Sequence, residues 1–218
     1  MNRMSTVTPT ITASAALARL IEGNARFMCG KPQQRPPLPG RLTELSAAQQ
    51  PFATLLGCSD SRVPPEMIFD QGLGDLFIVR VAGNVVSAEI LGSLGYALVH
   101  LRTPLFVVLG HEGCGAVQAA LQTKFGGRGE KGKVAELLDA ILPGLEGINA
   151  SEPAEAQWLH AVEANVRWTV RQLAATPAGH AAVVGGRIQI VGAIYELATG
   201  RVRVLPPDGP RDCQSPVG

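Results

Sequence analysis

Two short segments of the sequence place cysteines beside other side chains that can bind a metal. The first segment, GCSDSR, contains Cys58 and Asp60, and the second, GHEGCG, contains His111 and Cys114. If the two segments meet in the fold, they present two thiolates, an imidazole and a carboxylate. Zn²⁺ prefers such a tetrahedral set of ligands, whereas sulfur ligation argues against Mg²⁺ or Ca²⁺. The sequence therefore predicts a zinc site.

A plainer interpretation of these cysteines has to be weighed as well. Cysteines are often buried simply as small apolar residues, and one isolated Cys-x-Asp or His-x-x-Cys pair would more often be structural. Two such pairs, each following an apolar run, make the metal interpretation the stronger one. Cys29 and Cys213 have no comparable neighbours, and for them the structural interpretation is preferred.

Composition limits the class of protein. With 218 residues, of which 46% are hydrophobic and 17% are charged, the chain is typical of a compact protein with a buried core. The formal net charge is +1, so we expect no nucleic-acid partner and no membrane contact through a basic patch. The sequence contains no signal-like N-terminal run and no apolar run of about 18 residues. We therefore expect a cytoplasmic protein whose thiols stay reduced.

Strands and helices alternate along most of the chain. Residues 52–56, 76–79 and 105–109 are uninterrupted apolar runs, which are typical of strands covered on both faces in a parallel sheet. A further strand is predicted at 188–195, with a hairpin edge strand at 202–205. Helical spacing predicts helices, in chain order, at 13–28, 88–101, 113–122, 133–142 and 154–175.

This alternation predicts an α/β fold. We expect a central, mostly parallel β-sheet, with four parallel strands and an antiparallel edge strand, flanked by helices. We expect a single domain over residues 1–218, with an N-terminal helix and proline-rich arm in 1–45 and a loosely ordered tail in 206–218. In open α/β sheets, ligands bind just past the carboxyl ends of the strands, which is where both cysteine segments lie.

The two segments and their surroundings resemble the β-class carbonic anhydrase family. The resemblance rests on CSDSRVPPEMIFDQGLGDLFIVRVAGNVV (58–86) and on GHEGCGAV (110–117). The general order of elements extends it to about residues 13–205. It implies reversible hydration of CO₂ to bicarbonate and a proton, through attack by a zinc-bound hydroxide.

The resemblance also implies a ligand set and a way of opening it. Three residues would be the permanent ligands of one Zn²⁺ per chain, namely Cys58, His111 and Cys114. Asp60 would be either a fourth ligand or the partner of Arg62. With Asp60 bound, the metal would have no vacant position, whereas a bidentate contact with Arg62 would draw the carboxylate away and admit water. Some family members close the site through a second bicarbonate pocket that uses a tryptophan where this chain has Leu55. We therefore expect the open arrangement, with Asp60 paired to Arg62.

A substrate pocket and an oligomeric partner follow from the same resemblance. The implied substrate-binding residues are Gln49, Phe77, Ala82 and Tyr96, several of which reach the site across a dimer interface in the family. We therefore expect a homodimer or a higher homo-oligomer. Without the resemblance, Phe77 and Tyr96 would be interpreted as packing residues of the core.

Two other functions stay open on the sequence alone. The same site could hydrolyse carbonyl sulfide or carbon disulfide, which are nearly isosteric with CO₂, and pocket width and access path would decide between them. The third interpretation is a structural zinc module without hydration activity. It predicts that Asp60 stays on the metal at every pH and that Arg62→Ala leaves behaviour unchanged.

Overall fold

A five-stranded sheet forms the centre of the structure, a computed structural model that describes residues 11–33 and 39–207. Its strands are β1 (Ala53–Gly57), β2 (Leu76–Arg80), β3 (Leu105–His111), β4 (Gln189–Tyr195) and β5 (Val202–Val204). Their order across the sheet is β2-β1-β3-β4-β5. The first four of these run parallel to one another, and β5 is antiparallel to β4. The predicted α/β fold, with four parallel strands and an antiparallel edge strand, is confirmed.

The burial of each strand explains why these segments extend. Every residue of β1 and of β3 is buried, so both strands are covered on both faces, as their uninterrupted apolar runs predicted. Leu55 and Leu56 in β1 are at most 1% exposed, and burying a leucine side chain contributes roughly 1.5–3 kcal/mol. The side chains of β2 are only partly buried, since this strand forms one edge of the sheet.

Helices flank the sheet, and those that lie between consecutive parallel strands return the chain from one strand to the next. They are α1 (Ala13–Met28), α2 (Pro39–Ala47), α3 (Pro65–Ile68), α4 (Ala88–Tyr96), α5 (Gly115–Lys124), α6 (Gly132–Ile141), α7 (Ala154–Ala175) and α8 (Pro177–Val184). The predicted helix at 88–101 is α-helical only as far as Tyr96; a π-helical turn, Ala97–Leu101, continues it and ends at the left-handed residue Arg102. None of the helices in the described ranges combines the length and apolar character that crossing a membrane requires.

The structure adds helices that the periodicity of the sequence does not indicate. α2 begins in the segment interpreted as part of an arm and extends past it, and α8 follows α7 after a single residue. α8 begins where the Thr176 hydroxyl accepts a hydrogen bond from the Gly179 amide and where Pro177 takes the first helical position. These capping signals, rather than an apolar stripe, define the helix. Residues 1–10 and 34–38, in the predicted N-terminal arm, and residues 208–218, in the predicted tail, lie outside the described residues.

α7 packs closely against β3 and β4. A Cβ atom on Gly110 in β3 would overlap the Cγ2 atom of Val166, and a Cβ atom on Gly192 in β4 would lie 2.8 Å from Cγ1 of the same valine. Glycine at both positions therefore lets the helix approach the two strands at a distance that a larger residue would not allow. This close contact fixes α7 beside the carboxyl end of β3.

Candidate metal centre

The carboxyl ends of β1 and β3 bring the two cysteine segments together. Cys58 directly follows β1, His111 is the last residue of β3, and Cys114 is the N-cap residue of α5. Because β1 and β3 pair in parallel, with Gly57 level with Leu109, their ends lie side by side. One ligand atom from each of Cys58, His111 and Cys114 lies within 4.8 Å of the others, and all three residues are buried.

The ring of His111 is oriented so that one nitrogen is free to bind a cation. Its Nδ1 lies 2.8 Å from the carbonyl oxygen of Glu112. Since a carbonyl oxygen only accepts hydrogen bonds, Nδ1 is the donor, and in the neutral ring Nε2 carries a lone pair. Nε2 is buried and has no hydrogen-bond partner among the described residues. An unpaired buried nitrogen is unfavourable on its own and is what a metal ligand requires.

The two cysteines form a coupled pair of acids. A hydrogen bond from Cys114 holds the pKa of the Cys58 thiol well below its ordinary value. The same hydrogen bond, followed by burial, raises the pKa of the Cys114 thiol. The two thiols therefore affect each other's ionisation, and metal binding would require both to be deprotonated.

The chemistry of this donor set suits a zinc ion. Two cysteine sulfurs and one buried imidazole nitrogen are the ligands that Zn²⁺ prefers. Hard cations such as Mg²⁺ and Ca²⁺ take oxygen ligands instead. The residues that the structure brings together thus fit a zinc ion with three protein ligands and one position left for another group.

Asp60 stands beside this cluster with its carboxylate turned towards Arg62. The guanidinium donates from Nε to Oδ1 at 2.9 Å and from Nη2 to Oδ2 at 2.7 Å, and the Arg62 backbone amide donates to Oδ1 at 2.9 Å. Oδ2 lies 3.9 Å from Nε2 of His111. Hydrogen bonding to Arg62 lowers the pKa of the Asp60 carboxyl below its ordinary value. The structure therefore contains the Asp60–Arg62 pair expected from the sequence, with an ionised carboxylate next to the cluster.

Arg80 contributes to the site and was missed by the sequence analysis. Its Nε donates to the carbonyl oxygen of Cys58 at 2.8 Å, and its Nη2 donates to that of Asp60 at 2.5 Å. One guanidinium thus fixes the backbone of the loop that carries both a cysteine and the carboxylate. The available signal was a charged residue at the end of an apolar run, LFIVR, that ends level with Gly57.

Comparison with known proteins decides the family. Residues 53–202, more than half of the chain, match the protein family described as carbonic anhydrase. The chain belongs to this family. Carbonic anhydrase 2 of Mycobacterium tuberculosis is 39% identical over 198 residues, which cover 88% of this chain and 93% of that protein.

Solved structures place this carbonic anhydrase in the β class. The β-carbonic anhydrase CafA of Aspergillus fumigatus superposes with a TM-score of 0.72 at 28% identity, covering 90% of this chain and 92% of that one. A structure of the tetrameric β-carbonic anhydrases of Sordaria macrospora gives a TM-score of 0.70 at 25% identity, covering 77% of this chain and 86% of that one. The resemblance of the two cysteine segments to the β class is confirmed.

The four residues expected to bind substrate in this carbonic anhydrase lie at two different ends of the sheet. Ala82 follows β2 and starts the short 3₁₀ turn Ala82–Asn84, whose Gly83 amide contacts the sulfur of Cys58. Phe77 is near the other end of β2, level with Thr54. The ring of Tyr96 stacks on that of Phe77, with 6.2 Å between ring centroids.

Gln49 also lies at the end of the sheet opposite to the cysteines. It is exposed and precedes β1, whereas Cys58 follows it. The five residues of β1 span roughly 16 Å at about 3.3 Å per residue. Within one chain, the structure therefore does not bring Gln49, Phe77 and Tyr96 to the cysteine cluster.

Proposed function

We propose that this carbonic anhydrase hydrates CO₂ reversibly at a zinc ion held by Cys58, His111 and Cys114. The observation that carries the proposal is the group of three buried donor side chains within 4.8 Å of one another, with an arginine-bound carboxylate beside it. Bound there, Zn²⁺ would supply the Lewis acidity that makes water nucleophilic near neutral pH. A reducing compartment such as the cytosol would keep both cysteines available as ligands.

Asp60 would orient the attacking water. Its carboxylate is close to the cluster, at 3.9 Å from the His111 Nε2 atom, and it accepts hydrogen bonds on both oxygens. Because Arg62 lowers the pKa of Asp60, the group is an ionised acceptor at any working pH and a weak base. It is therefore suited to accept a hydrogen bond and set the direction of the water lone pair, and less suited to keep a proton.

Arg62 would keep Asp60 from occupying the position that water needs. Two parallel hydrogen bonds from a guanidinium to a carboxylate fix both the distance and the plane of the acid. The Arg80 contacts with two backbone carbonyls hold the same loop from its other side. The carboxylate is thereby retained within reach of the cluster without being a ligand.

A second copy of the chain would complete the substrate pocket. CO₂ is apolar and linear, so it requires apolar walls, which Phe77, Ala82 and Tyr96 would supply, and one donor for the developing oxyanion, which the Gln49 amide would supply. Three of these residues lie at the opposite end of the sheet from the cysteines of their own chain, which supports a homodimer or a higher homo-oligomer. The Sordaria macrospora relatives are described as tetrameric.

The proposal is tested by metal analysis together with substrate assays. We expect about one zinc per chain and stopped-flow acceleration of CO₂ hydration at pH 8–9, with little release of sulfide from carbonyl sulfide or carbon disulfide. Sulfide release that exceeds CO₂ hydration would assign the site to the sulfur substrates. Bound zinc with neither activity would favour a structural zinc module.

Substitution of Arg62 sharpens this test. In Arg62→Ala, Asp60 loses its bidentate partner, and we expect turnover to fall while zinc content is kept. Arg41→Ala is a matched control, because Arg41 also forms an exposed ion pair, at 3.1 Å to Glu44, on a helix that carries no proposed ligand. Equal turnover in Arg62→Ala and wild type would contradict the proposed role of the pair.

A further inference from the structure

The turn after β2 contributes a hydrogen bond to one of the proposed metal ligands. The backbone amide of Gly83 lies 3.4 Å from the sulfur of Cys58, in a buried position. A hydrogen bond to a thiolate withdraws electron density that the sulfur would otherwise give to a metal, so its geometry affects both affinity and Lewis acidity. What holds this amide in place therefore matters for the centre.

The turn has an unusual backbone conformation. Gly83 has a φ of 67° and Asn84 a φ of 45°, so two successive residues are left-handed. A Cβ atom on Gly83 would lie 2.8 Å from Cδ1 of Ile141 and 3.2 Å from Cβ of Ala116. The turn thus fits tightly between α5 and α6, and its conformation requires support from neighbouring groups.

Helix α7 supplies that support through two buried polar side chains. The Asn165 Nδ2 atom donates to the carbonyl oxygen of Gly83 at 2.8 Å, and the Thr169 hydroxyl donates to that of Asn84 at 3.2 Å. Asn165 and Thr169 are four residues apart, so they share one face of the helix and bind two successive carbonyls. Both are at most 1% exposed.

Burying polar groups on this helix face costs desolvation free energy, which argues against a role in packing alone. The buried residues around it on α7 include Ala161, Val162, Val166 and Leu173. Two further atoms, Asn165 Oδ1 and Asn84 Nδ2, are buried without a hydrogen-bond partner among the described residues. An apolar side chain at position 165 would fill the space without this desolvation penalty.

We propose that Asn165 and Thr169 are positioning residues of the metal centre, which keep the Gly83 amide on the Cys58 sulfur by holding the Gly83 and Asn84 carbonyls. Only the two backbone dihedrals of Gly83 separate its bound carbonyl from its amide, so fixing one peptide plane restricts the other. The inference rests on the proposed metal site. It adds that these two residues set how strongly the Cys58 thiolate donates electrons to the metal.

Loosening the turn should change both the light absorption of the cobalt-loaded centre and its affinity for zinc. When the amide moves away, the Cys58 sulfur becomes a stronger electron donor. In the Co²⁺-substituted protein, the thiolate-to-cobalt charge-transfer band should then move to longer wavelength. Zinc affinity should nevertheless fall about ten- to a hundredfold, because the ligand is held less firmly in position, as is typical when a residue supporting a metal ligand is lost.

The test compares three variants by cobalt absorption and by competition for zinc with a chelator. Asn165→Leu removes the donor to Gly83, and Thr169→Val removes the donor to Asn84 while conserving shape. Asn24→Leu is the matched control, because Asn24 is 2% exposed and binds the carbonyls of Ile68 and Gly200 rather than the Gly83 turn. Urea unfolding reports the stability of each variant.

We expect the band shift and the affinity loss in Asn165→Leu, smaller changes of the same sign in Thr169→Val, and an unchanged band in Asn24→Leu. If Asn165→Leu does not fold, Thr169→Val decides. Folded variants with the wild-type spectrum and zinc affinity, or an equal shift in Asn24→Leu, would overturn the inference. Wild-type protein that lacks the thiolate-to-cobalt band would instead refute the proposed metal site, so the two failures are distinguishable.

Discussion

At the scale of single residues, the first cysteine segment places two different side chains, two positions apart, in different surroundings. The Cys58 side chain is buried and lies within 4.8 Å of the other two donors. The Asp60 carboxylate, 19% exposed, lies at the border of the cluster and is held by Arg62. In the proposed mechanism, binding the metal and orienting water would fall to different groups, so substitutions should separate the two effects.

We predict that Cys58→Ser and Asp60→Asn will fail in different ways. Cys58→Ser replaces a soft thiolate by a hydroxyl and should lose zinc and activity together. Asp60→Asn keeps the three proposed ligands and should retain about one zinc per chain. Its turnover should fall about a hundredfold or more, because the amide is a poorer acceptor for the water proton and a poorer partner for Arg62. Zinc analysis and stopped-flow CO₂ hydration measure the two effects.

Asp75→Asn provides the control for that comparison. Asp75 also forms an ion pair with an arginine, at 3.0 Å from Arg19. It precedes β2, however, and therefore lies at the other end of the sheet. We expect it to keep both zinc and turnover. Retained turnover in Asp60→Asn would refute the orienting role of the carboxylate.

At the scale of elements, the sequence predicted best where the signal is local. Uninterrupted apolar runs were enough to predict the strands β1 and β3. The short spacing of metal-binding side chains was enough to identify the Cys58 and His111 segments as candidate ligands. α8 was missed because it is defined by the Thr176 cap and not by an apolar stripe. Long-range contacts leave no local pattern. Arg80 meets the Cys58 carbonyl, and Asn165 meets the Gly83 carbonyl, only when β2 and α7 take their places in the fold.

The packing of α7 on β3 leads to a prediction at this scale. Gly110→Ala adds a methyl group that overlaps Val166, which is fully buried, so the helix or the strand has to move. We expect a destabilisation of about 1–3 kcal/mol from overpacking. Because His111 is the next residue, zinc affinity should fall as well. Urea unfolding of zinc-loaded protein measures the first effect, and chelator competition measures the second.

A double-mutant cycle with Val166→Ala separates overpacking from other causes. If the methyl group added at position 110 takes the space vacated at position 166, the double variant should be more stable than the sum of the single effects by roughly 0.5–3 kcal/mol. Strictly additive losses would show that the contact between Gly110 and Val166 does not determine the distance of α7 from the sheet.

At the scale of the whole molecule, the residues proposed to form the active site lie at both ends of the sheet of each chain. The proposed metal ligands lie at the carboxyl ends of β1 and β3, whereas Gln49, Phe77 and Tyr96 lie towards the amino ends. The surface around Tyr96 is apolar and open, with Tyr96 47% and Val99 56% exposed. A second copy that covers this surface would bring the substrate-binding residues of one chain to the metal ligands of the other. Activity should therefore belong to the assembly and not to the separate chain.

Mixed oligomers test this division. Gln49→Ala chains would have an intact metal centre but could not supply the oxyanion donor to a neighbouring chain. Cys58→Ser chains would have the donor but no metal centre. If the donor serves the neighbouring chain, a mixed dimer contains one complete site, formed by the centre of the Gln49→Ala chain and the Gln49 of its partner. Co-expressed at equal amounts, the two variants should pair at random, so about half of the dimers are mixed and about a quarter of wild-type activity per chain returns. Each variant alone should stay far below that level.

If Gln49 instead serves the centre of its own chain, no combination of the two variants contains a complete site, and the purified mixed dimer would be no more active than its parents.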